Sequence, residues 1–264
     1  MSIAEAILLA IIEGLTEFLP VSSTGHMIIG SSIMGIASHD FVKLFTICIQ
    51  LGAIISVVVL YYKNFLQSTN FYYKLTIAFI PSAILGKLLS DYIDMLLETP
   101  VGVAISLLLG GIILLFVDKW FNKNKIKHTA EINNPTALKI GFFQCIAMIP
   151  GVSRSGATIV GGMSLGLSRK TAAEFSFFLA VPTMFAATAY KLYKYIKQSG
   201  FPTNNEIVVL GIGNLVAFLV GLIAIKTFIS FLNSNGFKIF GWYRIIIGSI
   251  LLILYFSGKN LSIY

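Results

Sequence analysis

Hydrophobic and polar positions along this chain fall into blocks rather than alternating residue by residue. Six long apolar runs stand out: Leu44 to Tyr62, Leu75 to Ser90, Val101 to Val117, Phe175 to Tyr193, Ile207 to Ile225 and Ile239 to Ser257. Each approaches the ~20 mostly apolar residues a helix needs to cross a bilayer core. Four further stretches, near Ile3 to Leu19, Met27 to Ile36, Ala137 to Ile149 and Ala157 to Leu167, are shorter and are interrupted by Pro20, Pro150 and glycines. Pieces of that length suit re-entrant half-helices buried in protein. The pattern therefore predicts an all-α polytopic membrane protein. It has about six spanning helices plus re-entrant half-helices, in one integral membrane domain over residues 1–264.

The blocks also repeat. A shift of 131 residues pairs Ser22 with Ser153, Gly25 with Gly156, Ile28 with Ile159, Gly30 with Gly161 and Gly35 with Gly166, and sets Glu13 on Gln144. Each half, about 1–118 and 135–258, would hold two re-entrant pieces and three spans. An odd number of spans per half makes an inverted-topology repeat, an architecture that places its site near the midplane. The halves differ where chemistry would sit: Glu17, Ser23 and His26 in the first face Met148, Arg154 and Ala157 in the second.

Composition agrees with a membrane protein, because 56% hydrophobic residues and a mean hydropathy of +0.87 exceed what a soluble domain carries. The net charge of +8 comes from dispersed basic residues with no basic stripe interleaved with aromatics, so nucleic acid is not the expected partner. Lys119, Lys123, Lys125 and Lys127 form the densest basic loop and are expected in the cytoplasm, with Asp91, Asp94 and Glu98 one span earlier and outside. The N-terminus lacks a basic leader and reads as retained. Cys48 and Cys145 lie in apolar segments and suggest neither a disulfide framework nor a metal cluster. Lys87, Arg169, Lys170, Glu174, Lys226 and Arg244 read as helix-end charges able to snorkel to the interface.

Against so apolar a background, two polar segments carry the candidate chemistry: EGLTEFLPVSSTGH, Glu13 to His26, and QCIAMIPGVSRSGAT, Gln144 to Thr158. Ionisable groups at membrane depth are costly and persist mainly where they line a cavity and work. Glu13 and Glu17, four apart, share one helix face with about 5–6 Å between Cβ atoms. Two carboxylates so close stay ionised together only with a cation between them, and a hard ion such as Mg²⁺ or Ca²⁺ is suited to the place. The plainer reading is a carboxylate pair facing water at the end of a short helix.

After Pro20, Ser22, Ser23 and Thr24 precede a glycine-containing helix start, a turn suited to phosphate. His26, three residues beyond Ser23, can accept its proton or attack phosphorus itself. It can equally be a histidine bonded between helices. Arg154 offers a planar fork matched to phosphate oxygens, flanked by the hydroxyls of Ser153, Ser155 and Thr158. The alternative is an Arg154 that pairs with Glu13 or Glu17 and only locks the halves together.

The two segments closely resemble the glutamate-rich and PGxSRSxxT motifs of the bacterial undecaprenyl-pyrophosphate phosphatase family linked to bacitracin resistance. The likeness continues through IQLGA and AEFSFFLAVP and covers essentially the whole chain. The resemblance implies hydrolysis of undecaprenyl pyrophosphate to undecaprenyl phosphate and inorganic phosphate, recycling the lipid carrier for peptidoglycan synthesis. It implies a divalent-metal-dependent enzyme of the bacterial cytoplasmic membrane whose active site faces the outer side, and it admits a homodimer. Carried over by position, Glu13 and Glu17 would handle metal and phosphate. Ser23 and His26 would be nucleophile and base in either order, and Arg154 would clamp the pyrophosphate with Ser153 and Thr158.

Two other functions compete. Broken helices in an inverted repeat are also a transporter architecture, so an anion or lipid phosphate could be carried and not cleaved. A purely structural scaffold would leave the polar groups at membrane depth without a purpose. The acid-phosphatase-like lipid phosphatases are excluded, since no Arg-Pro pair occurs.

Overall fold

A computed structural model describes residues 1–66, 69–97, 100–121 and 125–257. Its helices in chain order are α1 (Ile3–Thr16), α2 (Ser23–Ile33), α3 (Asp40–Leu60), α4 (Tyr62–Phe65), α5 (Thr69–Leu88), α6 (Ser90–Leu97) and α7 (Pro100–Trp120) in the first half. The second half contributes α8 (Asn134–Ile146), α9 (Arg154–Ser164), α10 (Arg169–Ser199), α11 (Asn204–Asn235) and α12 (Lys238–Phe256). The described residues contain no β-strand, only an isolated bridge between Ile126 and Leu167. Asp91 and Asp94 fall on α6, whereas Glu98 and Lys123 lie outside the described residues.

Among the described residues five helices are long and apolar enough to cross a membrane: α3, α7 from Val101, α10, α11 and α12. The sixth expected run falls on α5, where Lys74, Lys87 and a polar first turn dilute the apolar sequence. Lys74 is buried and donates to the carbonyl of Ala130 at 2.8 Å, which ties α5 to the connection between the halves. Along α11, Leu215, Leu219 and Ile223 are exposed, as are Ile246, Ile250 and Ile253 along α12. Apolar stripes on an outer surface are what lipid solvates.

The half-helices α1, α2, α8 and α9 have 14, 11, 13 and 11 residues. At 1.5 Å per residue the longest reaches about 21 Å, short of the ~30 Å hydrocarbon core. Their boundaries follow the 131-residue shift: α2 and α9 both begin one residue after a serine N-cap, Ser22 or Ser153, and both run for 11 residues. Each pair closes at matching positions. A Cβ at Gly30 would lie 3.0 Å from Ile12, and one at Gly161 only 2.3 Å from the ring of Phe143. Packing repeats as well. Helix α1 lies on α11 as α8 lies on α5, α3 lies on α11 as α10 lies on α5, and the central pairs are α3 with α10 and α7 with α12.

Local sequence explains the helix starts. Ser2 and Glu5 form a capping box on α1, Thr203 and Glu206 another on α11, and Asn133 caps α8 ahead of Pro135. Between α1 and α2 the chain is anchored by Phe18, fully buried and packed edge-on against Phe177 of α10 with ring centroids 5.3 Å apart.

Arg244, expected from the sequence to snorkel to the interface, is instead buried on α12 and 1% exposed. Its guanidinium donates to five backbone carbonyls: Leu107 at 3.3 Å, Pro20 at 3.1 Å, Val152 at 3.1 Å, Ser106 at 3.0 Å and Gly151 at 2.8 Å. Both re-entrant turns are thereby fastened to α7 and α12. A buried guanidinium is tolerable when its donors are satisfied in this way. Arg169, another expected interfacial charge, pairs with Asp118 at 2.6 Å.

Candidate active site

The site forms where the turn after α1 meets the start of α9. Glu13 lies in the last turn of α1 and is fully buried, while Glu17 is its C-cap and 5% exposed. The Glu13 carboxylate lies beside that of Glu17 and within the field of Arg154. Arg154 Nη2 donates to Glu17 Oε1 at 2.8 Å, and Nη1 donates to the Ser176 carbonyl at 2.8 Å and to its hydroxyl at 3.3 Å. Glu17 thus joins the first half of the chain to the second through a buried ion pair.

Ser23 donates its hydroxyl proton to the other Glu17 oxygen, Oε2, at 2.5 Å. The sequence spacing left His26 as an acceptor for that proton or as the nucleophile itself, and in the structure the hydroxyl points to Glu17. Side chains on a helix lean toward its N-terminus. Ser23, the first residue of α2, leans over the turn that carries Glu17, and His26 reaches back one turn to the Ser22 carbonyl, 2.7 Å from Nδ1. The other nitrogen, Nε2, lies 2.7 Å from the hydroxyl of Tyr243.

The two serine caps share an uncommon backbone. Ser22 has φ 71° and Ser153 has φ 72°, the only non-glycine residues with positive φ among those described. Such conformations cost on the order of 1–3 kcal/mol and persist where the surroundings enforce them. Here Ser22 Oγ accepts from the Gly25 amide at 3.3 Å, and Ser153 Oγ accepts from the Gly156 amide at 3.1 Å. Ser155 donates to the Leu19 carbonyl at 2.8 Å, which sets the start of α9 against the turn before α2. Two helix N-termini, each favourable to an anion, therefore flank one short segment. Thr158 bonds to the Arg154 carbonyl at 2.8 Å and to the Ser176 hydroxyl at 2.6 Å, while Thr24 sits half-buried in the first turn of α2.

Three buried polar atoms in this cluster have no hydrogen-bond partner among the described residues: both carboxylate oxygens of Glu13 and Nε of Arg154. Buried polar groups in folded proteins are rarely left so. At the repeat-related position Gln144 donates to Ser82 at 2.6 Å and to Thr183 at 3.1 Å, so the second half satisfies internally what the first leaves open.

Comparison with known proteins bears on what fills that opening. A sequence model of the family described as "Bacitracin resistance protein BacA" matches residues 6–250. The chain belongs to this family. Among its curated relatives, a protein named undecaprenyl-diphosphatase from Flavobacterium johnsoniae is 66% identical over 264 residues, all of both chains. Proteins of the same name from Porphyromonas gingivalis and Aquifex aeolicus are 52% identical over 283 residues and 50% identical over 246 residues. Coverage is complete for the former, and 92% of this chain and 95% of the relative for the latter. As a BacA family member with five membrane-competent helices among its described residues, the chain is a multi-pass membrane protein.

Sequence reasoning brought Glu13, Glu17, Ser23 and Arg154 to one place and the structure gathers them there. It missed Ser176, Tyr243 and Arg244. Ser176 stands in the AEFSFFLAVP segment, the one signal that could have drawn attention to it.

Proposed function

We propose that this protein hydrolyses undecaprenyl pyrophosphate to undecaprenyl phosphate and inorganic phosphate, recycling the lipid carrier for peptidoglycan synthesis and conferring bacitracin resistance. Family membership and the names of full-length relatives support the substrate. The observation that carries the site is the cluster of buried, unpartnered polar atoms, Glu13 Oε1 and Oε2 with Arg154 Nε, beside a serine hydroxyl bonded to a carboxylate.

The donor set fits a hard divalent cation, Mg²⁺ or Ca²⁺. Glu13 offers two free oxygens and Glu17 lone pairs beyond those it shares with Ser23 and Arg154. Among the described residues no group of three or more His, Cys, Asp or Glu gathers into a protein cage. A carboxylate pair completed by substrate phosphate oxygens and water is the usual way Mg²⁺ is held. When bound, the cation neutralises charge on the pyrophosphate oxygens.

Ser23 is the nucleophile in this reading. Glu17 Oε2 takes its proton as Oγ attacks the terminal phosphorus, the bond to the bridging oxygen breaks, and undecaprenyl phosphate leaves. Water takes the place of the Tyr243 hydroxyl at His26 Nε2 and attacks the phosphoserine, passing its proton to Nε2; inorganic phosphate departs as Glu17 returns its proton to Ser23 Oγ, and the imidazolium then releases its proton to solvent. Arg154 holds Glu17 in place and presents Nε to the developing charge, with the amides of the α2 and α9 N-termini as further donors. Ser153, Ser155, Thr158, Ser22 and Thr24 shape those termini. The prenyl tail lies along the apolar exterior, and the site faces the outer side of the cytoplasmic membrane.

A transporter reading shares the same architecture. Liposomes carrying lipid pyrophosphate separate the two: orthophosphate appears if the substrate is cleaved. Movement of intact lipid pyrophosphate between leaflets without orthophosphate would refute hydrolysis.

A further inference from the structure

Helix α12 presents Tyr243 and Arg244 side by side, and the two reach different parts of the same turn. Arg244 grips the Pro20 carbonyl, two residues before Ser22. Tyr243 places its hydroxyl 2.7 Å from His26 Nε2, with the two ring planes only 7° from parallel and their centroids 5.5 Å apart. Both are long-range contacts, separated by 224 and 217 residues in sequence. The histidine and the turn from which α2 starts are therefore referenced to one rigid helix.

The partners define the tautomer. A carbonyl oxygen only accepts, so the 2.7 Å contact with Ser22 requires the proton on His26 Nδ1. In the neutral ring Nε2 is then an acceptor, and the Tyr243 hydroxyl donates to it. Ser22 is itself fixed by its positive φ and by the bond its side chain accepts from the Gly25 amide, so the carbonyl has little freedom to turn away. Tyr243 is 40% exposed, which puts its hydroxyl and Nε2 at the rim, not in the closed cluster around Glu17.

We infer that Tyr243 is a positioning residue for His26: its hydroxyl donates to Nε2 of the Nδ1–H tautomer that the Ser22 carbonyl sets, and so fixes the ring with an unprotonated Nε2 at the rim. The assignment rests on the phosphatase reading for its effect on turnover, but not for the hydrogen bond itself. The variant Tyr243→Phe removes the hydroxyl and keeps the ring contact. In protein with His39→Gln and His128→Gln, His26 is the only histidine, so ¹⁵N-histidine labelling reports its two nitrogens alone.

The expected result is a proton on Nδ1 and a hydrogen-bonded, unprotonated Nε2 at neutral pH, with the Nε2 resonance shifting in Tyr243→Phe. Turnover should fall about tenfold, the scale of one lost hydrogen bond, at a KM within about twofold. The same change added to His26→Ala should cost nothing further, because the residue acts through the imidazole. An unmoved Nε2 resonance, or an equal loss of turnover with and without His26, would overturn the assignment. If the resonance shifts as expected but the unmutated protein releases no phosphate from lipid pyrophosphate, the phosphatase reading fails while the positioning of the ring stands.

Discussion

Arg154→Ala tests the site most severely, because it removes a charge from a buried pair. In the structure its guanidinium makes a 2.8 Å contact to Glu17 and a 2.8 Å contact to the Ser176 carbonyl, with Arg154 and Glu17 side chains only 10% and 3% exposed. Removing one partner of a buried pair costs about 3–5 kcal/mol, since the other charge is left uncompensated. At a few degrees per kcal/mol for a chain of this size, that is a fall in melting temperature of roughly 10 °C in detergent. The double variant Glu17→Gln with Arg154→Met removes both charges and should recover most of that stability. Turnover should behave differently. Arg154→Ala should lose about 10²–10³ of its rate, as deletion of a donor aimed at developing charge does. The double variant should stay inactive although it is stable. Thermal melts and phosphate release on the same preparations provide both readouts. If the double variant recovers turnover along with stability, Arg154 is only a lock between the halves and the catalytic role assigned to it is wrong.

Four further outcomes follow from the same contacts. Ser23→Ala should abolish phosphate release while lipid pyrophosphate still binds, as measured by co-purification of labelled lipid; residual release above about 1% of wild type would argue against Ser23 as nucleophile. Glu13→Gln should raise the Mg²⁺ concentration needed for half-maximal release by at least about tenfold, and a chelator should stop the wild type; an unchanged metal titration would remove Glu13 from the cation's ligands. Arg244→Met leaves five carbonyls without their donor and should lower the melting temperature at least as far as Arg154→Ala, read by the same melt. Gly161→Ala would push a methyl to 2.3 Å from the Phe143 ring and should destabilise by about 1–3 kcal/mol, whereas Gly30→Ala, facing the flexible end of Ile12 at 3.0 Å, should cost less.

Much of this arrangement was legible in the chain. Hydropathy marks the spanning helices because lipid selects an apolar exterior, and the 131-residue offset marks the half-helices because their tight starts restrict which residues fit. Gly35 and Gly166, paired by that offset, both adopt positive φ, at 69° and 94°. Clustering of Glu17 with Arg154 followed from the cost of leaving either alone in an apolar region. Other features were not legible. Tyr243 and Arg244 sit singly in an apolar helix near its polar end and look like interfacial residues; only folding brings α12 onto turns more than 90 residues away. The partner of Ser23 was hidden for a different reason. Spacing along α2 puts His26 within reach of Ser23 but does not show which way the hydroxyl turns, and the lean of a first-turn side chain directs it to Glu17. Helix α5 fell between categories because two lysines and a polar first turn offset its apolar residues.

The most direct test of the account is the initial rate of inorganic phosphate release from undecaprenyl pyrophosphate by the purified full-length protein in detergent, with Mg²⁺ or Ca²⁺ and then with excess chelator. Release should be steady, stop on addition of the chelator and resume with fresh cation. Binding of the lipid without any release, whichever divalent cation is supplied, would contradict it.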